Sequence, residues 1–125
     1  MTTLTQFVST QKYTSGTAAT WTMPAGCTHV RIILIGGGGS GGGGAVSSGN
    51  TSGGGGGGGG AYIDRTYAAN QLASTETYTV GAQVTGGTKA SGGSNLAGGN
   101  GSVGENTTFT INGSTITAYG GGGGA

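Results

Sequence analysis

Charge is nearly absent from this sequence. Its 125 residues include only four lysines and arginines, three aspartates and glutamates, and one histidine, which gives a net charge of +1. These residues are scattered along the chain, so the sequence lacks the basic patch with which nucleic-acid-binding proteins hold phosphates. We therefore expect no nucleic-acid partner.

Cysteine and long apolar runs are scarce as well. The single cysteine, Cys27, excludes an internal disulfide framework and a zinc site made of several cysteines. No stretch approaches the ~18 apolar residues that cross a bilayer, and Met1–Thr10 lacks the basic and apolar regions of a signal peptide. We expect one small domain with a thin core, no cofactor and no membrane insertion, stabilised by backbone pairing, by oligomerisation or by both.

Glycine is abundant, with 34 residues. Most of them lie in three runs, at 36–44, 53–60 and 120–124. A glycine run prefers neither helix nor strand. It is either a flexible tether or an extended helix of three residues per turn, whose backbone groups all point outward and need partners when they are buried.

Sequence patterns typical of strands adjoin all three runs. The β-branched segment His29–Ile35 leads into the first run, Ala61–Tyr67 follows the second, and Ser114–Tyr119 leads into the third. A linker needs no strands at its ends, so ordered and mutually paired runs are favoured over tethers. The predicted fold class is all-β, a small β-sandwich-like sheet base that carries packed polyglycine II-type helices.

The remaining segments complete the predicted layout. Residues 1–12 form an N-terminal arm, either an edge strand or a docking segment, and residues 13–125 form a glycine-rich β domain. Asn112-Gly113 predicts a type I′ hairpin that pairs Phe109 with Ile116 and Ile111 with Ser114. Thr75–Val80 reads as a further strand. Ala45–Ser52 is predicted to be a loop. Gly81–Gly104 is predicted to form either exposed loops or irregular glycine-rich packing.

His29–Ile35 is the strongest of the predicted strands. Its far end is apolar on both faces, which predicts a strand buried on both sides.

The order of motifs resembles a glycine-rich domain of bacteriophage tail-fibre and adhesin proteins. The most specific match is W-x-x-P-A-G at 21–26, followed by the hydrophobic strand Val30–Ile35 and the block Gly36–Gly44. The later segments match by composition and order: Gly53–Gly60, Tyr62–Tyr67, Thr77–Val80 and Thr115–Gly124. Cys27 departs from the family, in which an aliphatic residue is usual at this place.

The resemblance implies a non-enzymatic virion structural protein at a phage tail-fibre or spike tip that takes part in host-receptor attachment. Its partners would be other virion proteins and a bacterial surface glycan or outer-membrane protein, and by resemblance it would be a homo-oligomer, a trimer. It would reside in the virion, and in the host cytoplasm during assembly. The alternative is a purely structural virion component, such as a capsid fibre, decoration protein or tail-tip connector. A cell-wall or extracellular matrix protein is less favoured.

By the same resemblance, receptor contacts fall on loops between the packed glycine runs. The alternative is that these loops are solvated linkers, since they lack the aromatic side chains that anchor most binding hot spots. The candidate receptor-binding residues are Ser47, Ser48, Asn50, Thr51, Ser52, Asn95 and Asn100.

The sequence gives little support for sugar stacking, metal binding, catalysis or phosphate binding. Trp21 is expected to pack in the core rather than to stack on a sugar. Cys27 and His29 are too few for a metal site or a nucleophile, and no spacing argument pairs any two of the carboxylates. No glycine run continues into the Gly-Lys-Ser/Thr of a phosphate loop. We therefore predict no catalytic, cofactor or metal residues.

Overall fold

The computed structural model describes residues 8–125 and is nearly all β. Besides one 3₁₀ turn at Ala69–Gln71, the regular elements are strands, and among the described residues no helix has the length and hydropathy needed to cross a bilayer. Residues 8–12 of the predicted arm form no strand, and residues 1–7 lie outside the described part. The strands are β1 (Ala19–Thr22), β2 (His29–Ile35), β3 (Ala45–Ser47), β4 (Asn50–Ser52), β5 (Tyr62–Ala68), β6 (Thr75–Thr79), β7 (Thr107–Ile111) and β8 (Ser114–Ala118).

The base of the molecule consists of two antiparallel layers. One layer is a four-stranded sheet in the order β1-β6-β7-β8, and the other is the two-stranded ribbon β2–β5, whose β2 contacts β7 and β8. Trp21 lies in the small core as predicted, with its ring edge-on to Phe109 at 5.7 Å between centroids. The predicted all-β, sandwich-like base is therefore confirmed. The buried apolar residues are Trp21, Ile32, Leu34, Leu72, Phe109 and Ala118.

The hairpin β7–β8 forms in the predicted register. Phe109 faces Ile116, and the turn residues Asn112 and Gly113 have φ values of 45° and 84°, as a type I′ turn requires. A buried carboxylate that the sequence did not indicate stabilises this turn, because Oε1 of Glu76 accepts the amide of Asn112 at 3.1 Å. The same oxygen accepts the amide of Ala73 at 2.8 Å.

The prediction that β2 is buried on both faces is wrong. Ile32 and Leu34 are buried, but Ile33 and Ile35 on the other face are 46% and 62% exposed. The reason is that the ribbon has the four-stranded sheet on one side only. Its outer face carries the ion pair in which Nη2 of Arg31 lies 2.6 Å from Oδ2 of Asp64.

The glycine runs are hydrogen-bonded to one another at every third residue. Gly36, Gly39 and Gly42 donate to Ala61, Gly58 and Gly55 at 2.8 Å each. Strands repeat every two residues, whereas a spacing of three is that of the extended three-residue helix. The runs are therefore ordered by hydrogen bonds to one another rather than being flexible tethers.

Five such segments form a bundle beyond the base. In chain order they are segment I (36–44), segment II (53–61), segment III (81–90), segment IV (98–105) and segment V (119–125). Segment I is central, since it is hydrogen-bonded to all four others. For the stretch 81–104, the sequence did not decide between exposed loops and irregular glycine-rich packing. In the structure this stretch supplies two regular members of the bundle.

Each segment continues the register of the strand next to it. The β2–β5 register that sets His29 opposite Ala68 also sets Gly39 opposite Gly58, and it ends with Ser47 opposite Asn50. Segments IV and V extend the register of β7–β8 in the same way, with Gly104 donating to Gly121. The strand registers therefore continue into these four glycine segments.

The packing leaves no room for side chains on the inner faces. A Cβ on Gly57 would overlap the carbonyl of Gly39, and a Cβ on Gly104 would overlap that of Gly37, whereas one on Gly56 would meet open space. Ser40, which interrupts the first run, has a structural role. Its hydroxyl donates to the carbonyl of Thr85 at 2.7 Å and accepts the amide of Ser102 at 2.8 Å, so it joins segments III and IV.

Candidate functional site

The end of the bundle farthest from the sheet base carries a small β-hairpin. Ala45–Ser52 was predicted as a loop, and this is wrong, because β3 and β4 pair with Val46 opposite Thr51. These strands continue the register of segments I and II, so the pairing is inherited from the runs that lead into it. The hairpin and the neighbouring loop at 91–97 are called the tip below.

The turn of the tip hairpin is strained. Ser48 and Gly49 have φ values of 42° and 86°, the two positive values of a type I′ turn. Serine adopts the left-handed region rarely, so the flanking pairs must hold it there. Unusual backbone conformations of this kind cluster at functional sites.

The second loop of the tip is clamped to the first. Val46 and Leu96 exchange two backbone hydrogen bonds, of 2.9 and 2.8 Å. The hydroxyl of Ser47 donates to Oδ1 of Asn95 at 2.9 Å, and Asn95 also has a positive φ of 61°. Two loops that are distant in sequence therefore form one surface, which brings together the predicted residues Ser47 and Asn95.

The other predicted residues divide into two groups. Asn50, Thr51 and Ser52 form β4 and are exposed at the tip, next to Ser48 in the turn. Asn100 is exposed but belongs to segment IV, five residues beyond Asn95. It is the third residue of that segment, so at ~3.1 Å per residue it lies roughly 6 Å along the bundle from Gly98. Asn100 therefore lies on the side of the bundle rather than in the hairpin.

Neutral hydroxyl and amide groups dominate the tip. Such groups donate and accept hydrogen bonds, which suits recognition of polar, uncharged ligands. Leu96, which is 43% exposed, was not foreseen at the tip. Lys89, also not foreseen, lies beside the tip in segment III, next to Ala90, whose amide donates to Gly44. Lys89 could have been singled out from the sequence, because the glycine-rich stretch around it holds hardly any other charged residue.

Cys27 and Asp64, which were considered above for a metal site, a nucleophile or a carboxylate pair, make hydrogen bonds with other residues of the sheet base. Sγ of Cys27 donates to the backbone carbonyl of His29 at 3.2 Å. A hydrogen bond from Arg31 lowers the pKa of Asp64, and the same bond raises the pKa of Arg31. Within residues 8–125, no group of three or more His, Cys, Asp or Glu side chains is placed to hold a metal ion.

Comparisons with known proteins identify the family of this chain. No curated protein and no solved structure was found to match the sequence. One family model, described as a glycine-rich domain, matches residues 13–125. This range begins where the N-terminal arm was predicted to end, and it includes the sheet base, all five segments and the tip. The chain therefore belongs to the glycine-rich domain family.

Proposed function

We propose that this protein is a non-enzymatic virion structural protein at the tip of a phage tail fibre or spike. Its own hairpin at 45–52 and the loop at 91–97 would take part in attachment to the host. The proposal rests on the order of motifs described above and on the placement of the hairpin. Other virion proteins would hold the base, and a bacterial surface glycan or outer-membrane protein would meet the tip.

The observation that carries the proposal is the single register from β2 through segments I and II to the tip. His29 opposite Ala68 at one end and Ser47 opposite Asn50 at the other belong to the same register. Nine residues at ~3.1 Å each place the hairpin about 28 Å from the sheet. A stiff support that presents a polar hairpin far from its base suits attachment to a surface.

The chemistry of the tip supports a polar receptor. Ser47, Asn50, Thr51 and Ser52 are exposed, and their hydroxyl and amide groups match sugar hydroxyls or backbone amides as hydrogen-bond partners. The hydrogen bond from Ser47 to Asn95 holds these two side chains in place before binding. Such preorganisation lowers the entropy cost of association.

Binding of the labelled protein to a panel of bacterial strains tests the proposal. The double variant Asn50→Ala with Ser52→Ala removes two polar groups from the tip. We expect it to reduce binding by about tenfold, since each lost hydrogen bond costs ~0.5–1.5 kcal/mol. The matched control is Ser114→Ala, which truncates an exposed serine of β8 beside the hairpin turn of the base and should leave binding unchanged.

The purely structural alternative predicts a different result. Cell binding would then be absent, or equal in the tip and control variants, while the protein would still associate with other virion proteins. Electron microscopy of particles labelled at this protein would place it within the virion. The proposed homo-oligomer, a trimer by resemblance, is tested by sedimentation velocity.

A further inference from the structure

Charged side chains are distributed unequally between the two ends of the molecule. The sheet base and its junction with the bundle hold three cationic side chains and three carboxylates, so their charges balance. Beyond that junction, the residues 36–61, 83–104 and 119–125 contain one charged side chain, Lys89. The net charge of +1 therefore belongs to the part of the molecule that carries the tip. The six balancing residues are Lys12, Arg31, Arg65, Asp64, Glu76 and Glu105.

Lys89 lies where the bundle meets the tip hairpin. The amide of the next residue, Ala90, donates to the carbonyl of Gly44 at 2.9 Å, and β3 begins at the residue after Gly44. The loop at 91–97 follows directly along the chain. Lys89 is exposed, and a lysine carries its ammonium group on a flexible four-carbon stem. The ammonium group is therefore within reach of a ligand that sits on the hairpin.

The charge of Lys89 is not offset by a neighbouring carboxylate. Among residues 8–125, the one ion pair is that of Arg31 with Asp64. The carboxylate of Glu105 accepts the amide of Ala82 at 2.9 Å, and Lys89 lies seven residues farther along segment III, roughly 22 Å at ~3.1 Å per residue. That separation exceeds the Debye length of ~8 Å in physiological salt. A ligand at the tip therefore meets a positive charge that no acidic side chain cancels.

We propose that the tip recognises an acidic glycan, and that the ammonium group of Lys89 pairs with a carboxylate or phosphate group of the sugar chain. This inference rests on the proposed attachment function and specifies its ligand. The exposed hydroxyl and amide groups of β4 would meet sugar hydroxyls. Lys89, at the root of the hairpin, would meet the acidic group and so select charged glycans over neutral ones.

The side chains of the tip favour a glycan over the acidic surface of a protein. Protein interfaces are usually anchored by tryptophan, tyrosine and arginine, and residues 45–52 and 91–97 contain none of these. Leu96 is the one large apolar side chain exposed there. Serine, threonine and asparagine supply the other contacts, and their hydrogen-bonding groups match those of sugars.

Cell binding at two salt concentrations tests the proposal on strains that the labelled protein binds. Lys89→Gln should bind about fivefold more weakly at low salt, the effect of one charge pair ~4 Å apart in water. Raising NaCl from about 0.1 to about 1 M shortens the Debye length from ~10 to ~3 Å. This should weaken the parent by a similar factor and leave Lys89→Gln nearly unchanged. Lys89→Arg, which keeps the charge, and Lys12→Gln, which removes an exposed lysine of the base, should both bind like the parent.

Treatment of the cells identifies the source of the acidic group. Periodate, which cleaves the diols of sugars, should abolish binding, and protease treatment should leave it intact. Loss of binding after protease would place the ligand on a protein and would overturn the glycan. Equal binding or equal salt dependence of Lys89→Gln and the parent would overturn the role of the charge, while attachment through the tip would stand. Absence of binding to every strain would refute attachment itself, and this inference with it.

Discussion

Two isomeric variants, Gly56→Ala and Gly57→Ala, test whether the glycine segments pack as described. They add the same methyl group to adjacent residues of segment II. At position 57 the new Cβ would overlap the carbonyl of Gly39 in segment I, whereas at position 56 nothing lies within 4 Å. The two proteins have the same composition, so each is the control for the other.

The expected effects have opposite signs. Gly57→Ala must separate segments I and II near the 2.8 Å hydrogen bond from Gly39 to Gly58 and its two neighbours. Three bonds at ~0.5–1.5 kcal/mol each suggest a loss of about 2–4 kcal/mol in the free energy of unfolding. Gly56→Ala should instead gain about 0.4–1 kcal/mol, since alanine restricts the unfolded chain.

Urea unfolding followed by Trp21 fluorescence, with amide exchange across 36–61, measures these differences. An alanine scan of segment II should show a period of three: the substitutions at 54, 57 and 60 are costly, and those at 53, 56 and 59 are tolerated. Equal midpoints for the two variants, or unprotected amides in segments I and II, would show that the runs are tethers and would refute the packing.

Three further predictions follow from individual contacts. Ser40→Ala should lower the free energy of unfolding by about 1–2 kcal/mol, because the amide of Ser102 loses its acceptor, whereas exposed Ser52→Ala should change it by less than ~0.5 kcal/mol; chemical denaturation measures both. Glu76→Ala should cost about 2–4 kcal/mol, since two amides lose the same buried acceptor; equal midpoints for variant and parent would contradict this role. Because Arg31 lowers the pKa of Asp64, the stabilisation by this exposed pair is present above the ordinary aspartate range, about pH 4, and is lost as pH falls through the lowered pKa. The small difference in melting temperature between the parent and Asp64→Asn should therefore vanish in acid, and a difference that persists there would exclude the ion pair as its source.

Local signals were sufficient to predict most of the sheet base. The alternation of Phe109 and Ile111 and the turn pair Asn112-Gly113 specify β7–β8 within a dozen residues. The burial of Trp21 followed from its size and its place beside a strand. The exposure of Ile33 and Ile35 could not be predicted, because it depends on how many strands cover the ribbon.

The bundle was only partly predictable. Gly98, Gly101 and Gly104 recur every third residue, and this period of three marks segment IV as a bundle member. This period of three is visible in the sequence. It was missed because a search for periods of two and 3.6 residues, which are typical of strands and α-helices, does not detect it. The carbonyls that each of these glycines approaches belong to segment I, which lies about sixty residues earlier in the chain.

At the tip, the sequence indicated the composition but not the arrangement. Ser47, Ser48 and Asn50 were found because they interrupt the glycine runs. The contact between Ser47 and Asn95 joins residues 48 positions apart, and no local pattern predicts it. Asn100 was grouped with Asn95 by proximity in sequence, but an extended segment carries it away from the hairpin.

The separation between the apolar core and the hairpin has a consequence for variation. Substitutions of the exposed residues Asn50, Thr51 and Ser52 leave Trp21, Phe109 and their neighbours untouched, so packing of the core places few restrictions on the side chains at the far end. The side chains at the far end can therefore change while the glycine scaffold stays the same.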